Sequence, residues 1–218
     1  MSARVSFPGL KRGLVAILRG LTFREVEPVV GLLIESGFEA IEIPLNSPAP
    51  FRSIERAAAM AHSSVLIGAG TVLKVEDVDR LADAGGRLLV SPNVDVHVLR
   101  RAGAHAMVTM PGVFTPTEAL TALDAGASAL KFFPASVLGP SGIKAISAVL
   151  PKDAVIGAVG GVSERDFAAY AKVGVRTFGL GSSLYAPGMA AEEVGARARA
   201  AVAAYDEIFT RPKGAERR

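Results

Sequence analysis

The chain of 218 residues contains no cysteine, no tryptophan, only three histidines and only three tyrosines. Without cysteine it has no disulfide, no thiolate metal ligand and no cysteine nucleophile, and we predict a cytoplasmic location. The shortage of large aromatic side chains argues against a stacking platform for single-stranded nucleic acid. No apolar run approaches the length needed to span a bilayer. We therefore expect neither a nucleic-acid partner nor a membrane partner.

The composition is that of a globular chain with a small positive charge. Half of the residues are apolar and 21% are charged, which allows a sizeable core. The net charge of +3 comes from scattered basic residues, a pattern that fits a small anionic substrate. The basic, aperiodic segment 211–218 is predicted to be a disordered tail, which leaves residues 1–210 as one domain.

Short apolar, β-branched runs recur about every 20–25 residues, with helical stretches between them. The eight runs are 14–19, 40–45, 65–69, 88–91, 106–110, 129–133, 155–159 and 177–180. The spacing leaves room for one strand, one helix and short loops in each repeat. This pattern predicts an α/β fold, a single (β/α)₈ TIM barrel, with a doubly wound open sheet as the alternative.

Lys131 is a lone cation in the run 129–133, which otherwise suits a buried strand. Burial disfavours the ammonium form, and the neutral amine is a nucleophile that can form a Schiff base with a carbonyl compound. The alternative interpretation is a snorkelling lysine at a strand end, or one member of a structural ion pair.

Glu42 shares one face of its strand with Ala40 and Pro44. If that face is the barrel lumen, Glu42 is a buried carboxylate near Lys131 or Arg19. Burial and nearby cations shift its pKa in opposite directions, which can leave a group able both to take and to give a proton. An ion pair that only fills a layer of the barrel is the structural alternative.

Residues at the strand ends are candidates for substrate binding, since active sites of TIM barrels lie there. Gly160-Gly161 and Gly181-Ser182 follow the last two runs, where backbone N–H groups commonly bind phosphate, although glycines also simply turn chains. Arg19 ends the first run, and Thr71 closely follows the third. They can bind a substrate carboxylate, or form a rim salt bridge and a helix cap.

The histidines give no metal site. His62 lies near a helix end, His97 opens a helix and His105 precedes the fifth run, so they cannot converge where the strands end. We expect no metal and no other cofactor.

Six segments together resemble the class I aldolases of 2-keto-3-deoxy-6-phosphosugar acids. They are residues 14–20, 42–47, 67–72, 90–93, 129–134 and 158–162. The similarity extends from about Leu14 to Phe209. It implies a Schiff base on Lys131, proton transfer by Glu42, a phosphorylated 2-keto-3-deoxy sugar acid as substrate and a homotrimer.

The resemblance also assigns the binding residues. It implies that Arg19 and Thr71 hold the substrate carboxylate, and that the phosphate lies against Gly160, Gly161 and Ser182.

Two positions distinguish branches of the family. Gluconate-type members typically carry arginine where this chain has Asn46, and threonine where it has Val159. Both differences favour the galactonate-type branch, which cleaves 2-dehydro-3-deoxy-6-phosphogalactonate to pyruvate and glyceraldehyde 3-phosphate. The alternatives are the gluconate-type aldolase and, more distantly, a phosphosugar isomerase or epimerase, or a non-catalytic phosphosugar-binding barrel.

Overall fold

Strands and helices alternate along residues 4–210, the part of the chain that this computed structural model describes. The strands are β1 (Leu14–Ile17), β2 (Ala40–Pro44), β3 (Leu66–Gly70), β4 (Leu88–Val90), β5 (Val108–Met110), β6 (Gly112–Val113), β7 (Leu130–Phe132), β8 (Ile156–Val159) and β9 (Thr177–Leu180). The helices are α1 (Val26–Glu35), α2 (Pro50–Met60), α3 (Val75–Asp83), α4 (Val96–Ala104), α5 (Pro116–Asp124), α6 (Ala135–Ser147), α7 (Phe167–Ala171) and α8 (Ala191–Phe209). The predicted tail 211–218 lies outside the described residues.

The strands form one parallel sheet in the order β5-β4-β3-β2-β1-β9-β8-β7-β6. Its two end strands, β5 and β6, are consecutive pieces of one extended segment interrupted at Pro111. The Ala129 amide donates to the Thr109 carbonyl (3.0 Å) and the Lys131 amide to the Pro111 carbonyl (2.9 Å), so this segment continues the ladder onto β7. The sheet therefore closes as an eight-stranded barrel. The TIM-barrel prediction is confirmed, and the open-sheet alternative is wrong.

The second piece of the broken strand, β6, was absent from the predicted runs. Proline lacks the N–H that a central strand donates, and the Pro111-Gly112 pair indicates a turn rather than a strand. In the barrel, β6 nonetheless pairs with β7, with Gly112 opposite Lys131.

Alternation along the strands separates a lumen from an outer core. The inner cluster contains Val15, Ile17, Ala40, Leu66, Leu88, Val90, Val108, Met110, Ala129 and Val159. Val5, Phe7 and Leu10 of the N-terminal segment pack against this cluster. Because Ala40 and Ala129 face inward, alternation also directs Glu42 and Lys131 into the lumen.

The helices cover the outside of the sheet. Helix α1 buries Val26, Val29, Val30 and Leu33, the periodic face that the sequence pattern predicts. None of the helices within residues 4–210 combines the length and apolar character that a bilayer span requires.

Candidate active site

Lys131 lies in the middle of β7, and only 6% of its surface is exposed. Its Nζ is 4.6 Å from the centroid of the Phe133 ring. Burial lowers the pKa of the Lys131 amine below its ordinary value, Glu42 opposes this shift, and Arg19 adds to it. The surroundings thus favour the neutral, nucleophilic form of the amine more than water does.

Glu42 lies on β2 and is 2% exposed. Its Oε2 atom is buried and has no hydrogen-bond partner among the described residues. Burial raises the pKa of this carboxyl to about 7, although Lys131 and Arg19 each act to lower it. Near neutral pH both protonation states are accessible, as proton transfer in two directions requires. A structural ion pair would instead satisfy the carboxylate oxygens.

Lys131 and Glu42 border one cavity of about 250 Å³ at the carboxyl end of the strands. It is lined by Ile17, Arg19, Glu42, Lys131, Phe133, Val159, Gly160, Gly161, Val162, Gly179, Gly181 and Ser182. All the predicted site residues except Thr71 are in this set. Sequence reasoning missed the wall formed by Ile17, Phe133 and Gly179, although strand alternation directs all three inward.

The loop after β8 brings backbone rather than side chains to the cavity wall. Gly160 and Gly161 have φ angles of +91° and +71°, which favour glycine. A Cβ on Gly160 would approach the Phe133 ring to 3.0 Å, and a Cβ on Gly161 would approach Ser136 Oγ to 2.6 Å. Glycine therefore fits both the conformation and the space, and the exposed backbone suits an anion.

Arg19 lies beyond the end of β1 and is held by the loop after β2. Its Nη1 donates a hydrogen bond of 2.7 Å to Asn46 Oδ1. The same loop also contacts Gly20, whose backbone amide donates a hydrogen bond of 2.9 Å to Ser47 Oγ. The sequence singled out Asn46 as a departure from a family pattern and did not reveal this contact.

Arg19 also borders a second cavity, of about 420 Å³, that adjoins the first. The two share Ile17, Arg19, Gly181 and Ser182. Arg19 therefore stands between two open spaces, with an amide rather than a carboxylate as its hydrogen-bond partner.

Thr71 follows β3 in a left-handed conformation, with φ of +57°. It is not among the residues that line the 250 Å³ cavity. The cavity therefore gives no support to the predicted contact between Thr71 and a substrate carboxylate, which stays a prediction.

The histidines lie apart from the cavity. His105 contacts Asp79 through Nε2 at 2.7 Å on the outside of the barrel. Across residues 4–210, no three or more His, Cys, Asp or Glu side chains are grouped so that they can hold a metal ion.

Comparison with known proteins gives consistent results. The family profile described as "Aldolase: KDPG and KHG aldolase" matches residues 10–200. A protein of Rhizobium meliloti (strain 1021) named "Probable 2-dehydro-3-deoxy-6-phosphogalactonate aldolase" is 66% identical over 206 residues, which cover 94% of this chain and 97% of that protein. The "2-dehydro-3-deoxy-6-phosphogalactonate aldolase" of Escherichia coli (strain K12) is 49% identical over 197 residues, 90% of this chain and 96% of that protein.

The solved structure described as "Native KDPGal structure" superimposes with a TM-score of 0.91 and 47% identity, over 94% of this chain and all of that one. Fold, profile and relatives agree on the class of protein, an aldolase built on a TIM barrel. The chain belongs to the KDPG and KHG aldolase family. The family and the enzyme class predicted from the sequence are therefore confirmed.

Proposed function

We propose that this chain cleaves 2-dehydro-3-deoxy-6-phosphogalactonate to pyruvate and glyceraldehyde 3-phosphate through a Schiff base on Lys131. The observation that carries the proposal is the pair of buried groups, Lys131 and Glu42, on one cavity. The names of the relatives that are 66% and 49% identical support the choice of substrate.

The reaction begins with the neutral amine of Lys131. Its Nζ attacks the C2 keto carbon of the substrate to give a carbinolamine. Protonated Glu42 then gives a proton, directly or through water, to the carbinolamine hydroxyl, which leaves as water, so that a protonated imine and the Glu42 carboxylate remain. The lowered pKa of Lys131 supports this step, because it raises the fraction of amine that is free to attack.

The protonated imine then withdraws the electrons of the C3–C4 bond. Glu42, directly or through water, takes the proton of the C4 hydroxyl; the bond breaks, an enamine remains on Lys131, and glyceraldehyde 3-phosphate leaves. Glu42 returns the proton to C3 of the enamine, and water hydrolyses the imine to release pyruvate from Lys131. A carboxyl with a pKa of about 7 suits both transfers.

The two ends of the substrate carry negative charge and need separate partners. We assign the phosphate to the backbone of Gly160, Gly161 and Gly181 with the hydroxyl of Ser182. Their place on the wall shared with Lys131 supports this assignment. We assign the carboxylate to Arg19, with Thr71 as the second predicted contact, and we propose no metal or other cofactor for these steps.

We further propose a homotrimer in the cytoplasm. The family resemblance supports the trimer, and the 48% identity to a protein cage described as "designed by fusing symmetric oligomeric domains" supports a symmetric oligomer. Size-exclusion chromatography coupled to light scattering measures the molar mass directly. A mass of one or two chains contradicts the trimer.

The proposed chemistry is tested by trapping the imine. Borohydride added with pyruvate reduces a Schiff base to a stable amine, and peptide mass spectrometry locates it. We expect one adduct, on Lys131, and no adduct and no cleavage in Lys131→Ala, whereas Lys144→Ala on α6 serves as the matched control. An adduct on Lys74 or Lys144, or none, rejects the Schiff-base mechanism on Lys131.

Glu42 is tested separately in the same assay. Glu42→Gln keeps the size of the side chain and removes its proton transfer, so we expect the pyruvate adduct to persist while turnover falls by about 10²–10⁴-fold. Near-normal turnover of this variant reduces Glu42 to a structural role.

A further inference from the structure

The carboxyl group of Glu42 occupies the space of an absent side chain on the neighbouring strand. Strands β2 and β3 pair in parallel, with Glu42 opposite Gly68 and Pro44 opposite Gly70. The Glu42 side chain extends along the lumen toward the strand ends, so that its carboxyl group lies over Gly70. A Cβ on Gly70 would overlap the carboxyl group, whose Oε1 would be 2.5 Å from it.

The neighbouring glycine has a different role. A Cβ on Gly68 would collide with the backbone carbonyl of Leu88 on β4, so Gly68 is needed for the strands to approach. At Gly70 the three nearest atoms all belong to the Glu42 carboxyl group, and none belongs to the backbone. The lack of a side chain at residue 70 thus accommodates one particular functional group.

Packing against residue 70 limits where this carboxyl group can lie. Glu42 Oε2 has no hydrogen-bond partner among the described residues, so no donor from those residues holds that oxygen in place. Gly70 is not among the residues with positive φ, so its backbone conformation is open to alanine. A methyl group at residue 70 can therefore act on Glu42 without straining the main chain.

We infer that Gly70 is a positioning residue, which sets the place of the Glu42 carboxyl group against Lys131 and the substrate. This inference rests on the function proposed above. A group that transfers protons must lie within about 2.6–3.2 Å of its partner, directly or through one water. A displacement of about 1 Å costs on the order of 10²-fold in rate.

Gly70→Ala is the direct test. We expect kcat for cleavage to fall about 10- to 100-fold, with KM changed little and the pyruvate adduct on Lys131 retained. We expect the displaced carboxyl group to move toward the cavity that it borders, where it is better solvated. Better solvation lowers its pKa, so the acid limb of the kcat profile of Gly70→Ala should lie below that of the wild type.

The matched control is Gly31→Ala on the outer helix α1. A Cβ there meets no atom within 4 Å, and the residue lies outside the cavity lining. We expect its kinetics to equal those of the wild type. Gly70→Ala with wild-type kcat and pH profile overturns the inference.

A double variant separates action through Glu42 from a general defect. Once Glu42→Ala has removed the carboxyl group, adding Gly70→Ala should lower the rate no further. A further loss by the full factor of the single variant overturns the inference. If Gly70→Ala alone does not fold, we expect the double variant to fold as well as Glu42→Ala does. If the double variant also fails to fold, the inference is rejected.

Formation of the pyruvate adduct on Lys131 distinguishes failure of this inference from failure of the proposed function. If the wild type forms no adduct with pyruvate, the function itself fails. If the wild type and Gly70→Ala both form the adduct and turn over equally, only the role of Gly70 fails.

Discussion

Asn46 Oδ1 accepts a hydrogen bond of 2.7 Å from Arg19 Nη1, across the mouth of the barrel. The two residues lie on the loops that follow β2 and β1. A neutral amide fixes the guanidinium while leaving its charge uncompensated, whereas a carboxylate at the same place would neutralise it. Arg19 therefore faces the cavities as a held, positively charged group that suits the carboxylate of an anionic substrate.

Asn46→Ala should weaken substrate binding more than catalysis. The hydrogen bond is worth about 0.5–1.5 kcal/mol, so we expect KM to rise about 2- to 10-fold with kcat nearly unchanged. Steady-state kinetics on the galactonate-derived substrate measure both. Asn46→Asp keeps the hydrogen bond but neutralises Arg19, and we expect a larger rise in KM. If Asn46→Asp matches the wild type, the charge of Arg19 has no part in binding.

Glu42 should make the stability of the fold depend on pH. Its pKa rises from an ordinary 4.5 to about 7, so between these values the folded state binds more protons than the unfolded state. Its contribution to stability is therefore complete below pH 4.5 and is lost as the pH rises through 7. Lys131 and Arg19, which face it, offset only part of the cost of burying its charge.

Glu42→Gln stays neutral throughout this range. We expect its free energy of unfolding, relative to the wild type, to increase by about 2–3 kcal/mol between pH 5 and pH 8, as measured by urea unfolding. The same substitution at exposed Glu55 on α2 is the control. A difference between Glu42→Gln and wild type that is independent of pH contradicts the raised pKa.

Val159 should bias the choice between C4 epimers. It lies at the end of β8, 4% exposed, on the cavity wall. Valine offers no hydrogen bond to a C4 hydroxyl, and an unpaired buried hydroxyl costs roughly 1–3 kcal/mol, or about 5- to 150-fold in relative rate. The galactonate-derived substrate should therefore be preferred, and Val159→Thr should shift the ratio of kcat/KM values toward the gluconate-derived epimer.

The comparison requires kcat/KM for both epimers with each variant. Val149→Thr makes the same substitution at a residue that is 60% exposed, and its ratio should equal that of the wild type. Equal use of both epimers by the wild type, or a preference for the gluconate form, would leave the aldolase mechanism in place and reject the substrate assignment.

Activity should survive exhaustive treatment with a metal chelator. The proposed steps use the amine of Lys131 and the carboxyl of Glu42, and residues 4–210 offer no cluster of side chains suited to a metal ion. Turnover before and after dialysis against chelator measures this. Loss of activity that zinc or another divalent ion restores would point to a metal-dependent aldolase instead.

Local sequence patterns were enough for the repeat and for which side chains share a strand face. Alternation has a period of two in any strand, so the sequence puts Glu42 on the face of Ala40 and Pro44, and the closed sheet then makes that face the lumen. A lone lysine in an apolar run likewise indicates its own burial, because the cost of removing its charge from water is a property of the residue and its neighbours.

The tertiary structure decided what depends on register and closure. The extended segment formed by β5 and β6 is interrupted at Pro111 and still closes the barrel, because β5 pairs with β4 and β6 pairs with β7. Thr71 directly follows a strand, as the sequence predicts, yet it has a left-handed backbone and does not line the 250 Å³ cavity. Gly70 lies under Glu42 only because β2 and β3 pair in one particular register, and a one-residue slip would turn every side chain to the other face. Asn46 reaches Arg19, 27 residues away, because β1 and β2 are adjacent in the barrel.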